Sequence, residues 1–219
     1  MKISLKQAAT ALIVTAFLQS AALGAMILDR AHRLETGKDI LLKTAPIDPR
    51  DLFRGEYVSL NYDISRLDLS KLGGDAAFTN GESVYVTLTP QPEENREILW
   101  APAAVHKVRP DISGKDVVIR GDIQYVMELR PQTDSAERGP DGVAHTGDEQ
   151  TKPCMEDCQM INVAYGIESY FLPEGQGKAL EEARDSQTLA VLVAVDDGGK
   201  AAIKGLSIDG KLSVIEPLF

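Results

Sequence analysis

The chain has 219 residues, with 33 acidic against 23 basic side chains and a formal net charge of −10. At 26% charged and 43% hydrophobic it has the composition of an ordinary folded protein, not of a disordered or fibrous chain, and its length suits one domain plus an appendage. The acid excess argues against a nucleic-acid binder and against peripheral attachment to anionic lipid, since both need clustered Lys and Arg. With aromatics at only 5%, stacking platforms for bases or sugars are few.

Lys2 and Lys6 precede an uncharged stretch over residues 8–28 that ends at Asp29 and Arg30. As a helix rising about 1.5 Å per residue it spans about 31 Å, close to the roughly 30 Å hydrocarbon core of a bilayer. Leu12, Ile13, Val14, Phe17, Leu18, Leu23, Ile27 and Leu28 each favour insertion by about 0.3–0.6 kcal/mol. The expectation is a transmembrane anchor over 1–28 in contact with lipid through 8–28, a stalk over 29–44, and an extracytoplasmic domain over 45–219. A competing reading is a cleaved signal peptide, with Gln19 breaking the apolar run and Ser20-Ala21-Ala22 as the cleavage region. A third reading is a buried helix of a soluble protein; the first two export everything after Asp29.

Along the exported part, Asp48 suits a helix N-cap, Pro49 the first helical position and Gly55 the exit, so one helical turn is expected over 49–54. Glu56 to Ile64 alternates, with Val58, Leu60, Tyr62 and Ile64 on one face, as a half-buried strand does. Asn80-Gly81 is a turn signal leading into a strand over 83–89. A second strand, over 98–108, carries Trp100, and a long third, over 117–129, has Gly121 at an expected bulge.

The segment 131–159 is polar and without apolar period, a long functional loop or insertion. Short strands follow over 161–171, then a short helix over 178–185. Leu189 to Val195 is apolar on both faces and reads as a central strand; with 201–208, Asp209-Gly210 and 212–215 it forms a three-stranded meander. No long helices alternate with these strands, so a doubly wound parallel sheet is excluded. The expected fold is mainly β, an antiparallel sandwich or partly closed barrel with short edge helices.

Chemical motifs are sparse. GxSxG, HExxH, GxGxxG and paired CxxC patterns are missing. Gly205 to Leu212 imitates a phosphate-binding loop, but Leu212 stands where Ser or Thr is needed, and the stretch crosses a hairpin. His32, His106 and His145 are scattered. Cys154 and Cys158 lie in the polar loop, where an oxidising compartment favours a disulfide over free thiols or a metal pair. No cofactor or metal is expected.

Arg54-Gly55-Glu56-Tyr57-Val58-Ser59-Leu60-Asn61-Tyr62, preceded by Pro46-Ile47-Asp48-Pro49-Arg50-Asp51, resembles the signature of the GDYXXLXY family of membrane-anchored bacterial proteins. Gly55, Tyr57, Leu60 and Tyr62 match, and Glu56 stands for the motif's Asp. Tyr170 to Gly175 and Lys204 to Gly210 are also similar to that family, so the resemblance runs from about Lys43 to the end. It implies a single anchor, an extracytoplasmic domain and often a polytopic membrane protein encoded nearby, a candidate partner, and it supplies no catalytic residue. The expected placement is therefore the bacterial inner membrane, single-pass, with the C-terminal domain in the periplasm.

Two readings of the signature stand side by side. In one, Asp48, Pro49 and Gly55 build a turn while Leu60 and Tyr62 pack in the core. In the other, Arg50, Asp51, Arg54, Glu56 and Tyr57 line a polar pocket joined by Glu174, which receives a ligand or partner. The leading functional expectation is a non-enzymatic binding or scaffolding domain for an envelope or integral membrane partner. The rival is a hydrolase that uses Asp51, Glu56 and Glu174 as acid and base.

Overall fold

Strands dominate the molecule, as the repeated alternation of apolar and polar residues requires. The computed structural model describes residues 5–45, 57–92, 98–112, 114–129, 158–171 and 188–215. Among the described residues a long helix, α1 (Leu5–Thr36), is followed by β1 (Lys38–Ala45), β2 (Tyr57–Ser59), β3 (Asn61–Tyr62), β4 (Arg66–Asp68) and β5 (Gly73–Gly74). The longer strands are β6 (Ser83–Pro92), β7 (Ile98–His106), β8 (Val117–Leu129) and β9 (Cys158–Ala164). After β10 (Ser169–Phe171) come β11 (Leu189–Val195), β12 (Ala201–Ile208) and β13 (Lys211–Ile215). Two 3-10 turns, Asp63–Ser65 and Leu69–Lys71, connect the short strands.

Most strands join one sheet in the order β13-β12-β11-β1-β7-β6-β8-β9-β4, with β3 on β1 and β5 on β7, while β10 and β2 pair separately. The mainly β, sandwich-like expectation holds, and the sheet does not close. Its pairing is not wholly antiparallel: β7 runs parallel to β1 through Leu41↔Leu99 and to β5. The sheet curls far enough for the turn between β11 and β12 to meet β8, where the Arg120 amide donates to the Gly199 carbonyl at 2.7 Å. One buried cluster fills the concave side, drawing Ile40 and Leu42 from β1, Val84 and Val86 from β6, Ile119 from β8, Ile161 from β9 and Val191 from β11.

The C-terminal meander forms as expected. β11 is buried along nearly its whole length, and Asp209 and Gly210 take positive φ values of 51° and 73°, as an Asp-Gly hairpin turn requires. Asn80-Gly81 also turns the chain. The Asn80 side chain accepts from the Val126 amide at 2.7 Å, and the Gly81 amide donates to the Ile123 carbonyl at 2.9 Å. This docking explains why the β8–β9 register shifts between Ile123 and Tyr125 and not at Gly121. Gly121 serves close approach instead, since a Cβ there would lie 2.4 Å from Val163 Cγ1 and 2.9 Å from Tyr165 Cδ1.

Other segments depart from expectation. The stretch expected as a stalk is helix to Thr36 and then β1, whose alternate residues Ile40, Leu42 and Thr44 are buried between β11 and β7. The strand expected over 56–64 is divided into β2, β3 and a 3-10 turn, although Leu60, Tyr62 and Ile64 are buried as the alternation indicated. Cys158 opens β9 rather than lying in the loop. Cys154, most of the 131–159 loop and the helices expected over 49–54 and 178–185 lie outside the described residues.

Within α1, Thr10–Thr36 is long and apolar enough to cross a membrane by length and composition, and its most apolar part is unburied. The helix does not detach from the sheet at its far end. Ala31 and Leu34 are buried, Leu34 against Ala194 and Ala202, and Arg33 pairs with Asp29 and approaches Asp196 at 3.8 Å. Gly37 alone separates α1 from β1; its amide donates to the Arg33 carbonyl at 2.9 Å. A Cβ at this position would lie 2.5 Å from that carbonyl oxygen and 3.1 Å from Ala194 Cβ, so only glycine lets the helix end lie this close to β11.

Candidate functional site

The described part of the signature is built into the core. Leu60 is 3% and Tyr62 is 1% exposed. The Tyr62 hydroxyl donates to the Ile167 carbonyl at 2.6 Å, and Tyr165 returns the arrangement by donating to the Ile64 carbonyl at 2.7 Å. The Leu60 amide donates to the Glu168 carbonyl at 2.8 Å, while the Glu168 carboxylate accepts from the Tyr165 amide. Burial, with the negative charge of Glu168 adding to it, pushes both tyrosine hydroxyls well above their ordinary proton affinity. Leu60 and Tyr62 therefore hold two stretches of chain together, which is the packing role considered for them.

Arg50, Asp51, Arg54, Glu56 and Glu174 lie outside the described residues. Tyr57 is described by its backbone, in register with Phe171, as Val58 is with Tyr170 and Ser59 with Ser169. This pairing brings the start of β2, which follows Glu56, beside the end of β10, three residues before Glu174 in sequence.

Immediately after Tyr62, Asp63 lines a cavity of about 220 Å³ with Lys43, Gln91, Leu99, Trp100 and Pro102. Burial raises the Asp63 carboxyl above its ordinary range, against the pull of Lys43. A carboxyl of raised proton affinity beside an ammonium and an indole can receive a small polar ligand. The alternating pattern puts Asp63 on a solvent face and carries no signal of this cavity, because β7 and the end of β6 bring its other walls from distant sequence.

A second concavity of about 540 Å³ lies where α1 meets the sheet, lined by Met26, Asp29, Arg33, Glu168 and Phe171 among others. Beside it, Arg120, Asp122 and Lys200 contribute to a polar cleft of about 500 Å³ that shares Arg33 and Glu168. Among the described residues no group of three or more His, Cys, Asp or Glu could hold a metal ion. The phosphate-loop imitation spans the β12–β13 hairpin, where no helix begins.

An open, curled sheet carried on one apolar N-terminal helix, with half of its signature serving as core, defines a mainly β protein with a candidate anchor. The chain belongs to the GDYXXLXY family: the model of the GDYXXLXY protein family matches residues 19–206. The match begins inside α1, upstream of Lys43, and ends within β12. No curated protein and no solved structure matches the chain.

Proposed function

We propose that this chain is a single-pass protein of the bacterial inner membrane whose periplasmic β body binds or scaffolds an integral membrane partner without catalysing a reaction. The observation that carries this reading is the junction at Gly37, where an apolar helix passes into the central strand β1 through one residue. A helix joined in this way presents the sheet at a set orientation beside the bilayer, which suits a docking platform. Uncleaved α1 fits this better than a leader removed near Ala22. Removal there would leave Leu23, Met26, Ile27 and Leu28, all exposed, on a soluble protein.

Affinity purification of the tagged full chain from detergent-solubilised membranes at native expression tests the binding role. A reproducible integral membrane protein is the expected result, and its absence across repeats overturns the reading. A C-terminal reporter active only outside the cytoplasm tests the topology, and the mass of the mature N-terminus tests cleavage. In the periplasm Cys154 and Cys158 are expected as one disulfide, read as resistance to alkylation until reduction.

The hydrolase reading, with Asp51, Glu56 and Glu174, has one observation in its favour, the Tyr57↔Phe171 pairing. Glu56→Gln and Glu174→Gln should then each abolish any hydrolysis of envelope substrates that the purified chain shows. Hydrolysis unaffected by both substitutions would remove this reading.

A further inference from the structure

Asp29 is the first charge after the uncharged stretch 8–28, so a bilayer spanned by that stretch has its outer hydrocarbon boundary near Asp29. Ala31, the first helix residue buried against the body, lies only about 3 Å further along the helix axis. The headgroup layer on one side of a bilayer is about 5–7 Å thick, which exceeds that distance. The sheet is therefore held within the headgroup layer, and whatever the β body exposes beside the base of α1 faces lipid.

The large apolar side chain that it exposes there is Phe171. This side chain is 75% exposed at the end of β10, and it lines the same groove as Met26, itself 70% exposed. Met26 lies one helical turn before Asp29, about 4.5 Å into the hydrocarbon side. Phe171 thus continues, on the β body, the apolar surface that Met26, Ile27 and Leu28 present on the helix.

Given the proposed anchoring role of α1, we infer that Phe171 and the β2–β10 edge are seated in the interfacial layer of the bilayer that α1 spans, as a second lipid contact of the protein. The contact is apolar rather than headgroup-selective. The cations of the junction, Arg30, Arg33, Arg120 and Lys200, share it with Asp29, Asp122, Glu168 and Asp196. No net positive surface remains to select anionic lipid. Seating the edge in this way fixes the tilt of the body on the membrane, because α1 can itself tilt in the bilayer and carry the rigidly joined body with it.

The test uses the full chain, one copy per phosphatidylcholine nanodisc, with lipids brominated near either the carbonyl or the methyl end of the acyl chain. Trp100 is the only tryptophan, so a Trp100→Phe background reports a single introduced indole. Phe171→Trp should give blue-shifted emission quenched more by the shallow bromines than by the deep ones, and equally when anionic phosphatidylglycerol is added. Phe17→Trp, in the middle of α1, should be quenched most by the deep bromines. Leu212→Trp, in β13 opposite Ser207 at the far end of β12, should not be quenched.

Quenching at position 17 but not at 171 overturns the interfacial seat and leaves the anchor standing. Blue-shifted but unquenched emission at 171 means that protein covers the site, and also overturns it. Loss of quenching at position 17 overturns the anchor and the inference together.

Discussion

Tyr62 and Tyr165 each place a hydroxyl on a carbonyl of the other's neighbourhood, so removing either hydroxyl strands a buried acceptor. Tyr62→Phe and Tyr165→Phe should each cost about 1–3 kcal/mol in denaturant titration of the detergent-solubilised chain. The same pair sets an alkaline limit. Both hydroxyls have raised proton affinity in the fold, so the unfolded chain releases these protons first. Their contribution is intact below about pH 10 and is lost as pH rises beyond it. The double Phe variant should be less stable at neutral pH and should show a shallower alkaline decline.

Asp63 and Asp68 have opposite signs. Burial raises Asp63, so stability falls as pH climbs from the ordinary carboxylate range through its folded value. Asp63→Asn should raise the denaturation midpoint at neutral pH and give no gain in acid. For Asp68 burial acts upward, but hydrogen bonds from Ser70 and Lys71 prevail and lower it. Its contribution is present at neutral pH and disappears as pH falls through its folded value.

Among the elements, Gly37 and Gly121 each hold a close contact. Gly121→Ala should destabilise the β8–β9 pair by about 1–3 kcal/mol through overpacking against Val163 and Tyr165. Gly37→Ala should loosen the end of α1 from β11, read as faster hydrogen exchange at residues 31–37 with the β6–β8 core unchanged. These positions show how far the elements were legible. The meander over 189–215 was readable because burial on both faces and an Asp-Gly turn are local signals. Gly121 stood out in a strand, but its cause, the side chains of β9 and Tyr165, comes from some forty residues away in sequence. β1 was missed because Lys38–Ala45 follows a helix directly and contains good helix formers; only β11 and β7, distant in sequence, make it a strand. In the signature, alternation correctly buried Leu60 and Tyr62, whereas the Asp63 cavity depends on β6 and β7 and left no trace in the local pattern.

For the molecule as a whole, protease added to spheroplasts should digest the β body without lysis, while protection of the body would place it in the cytoplasm. The union of helix and sheet has a mechanical meaning here. With a single glycine between α1 and the central strand, and Leu34 locked against Ala194 and Ala202, torque has no swivel in which to dissipate. Any turning of α1 about its own axis sweeps the sheet through the same angle. On the proposed anchoring of α1, a membrane partner that grips the helix would thereby also choose which flank of the body is displayed to its surroundings.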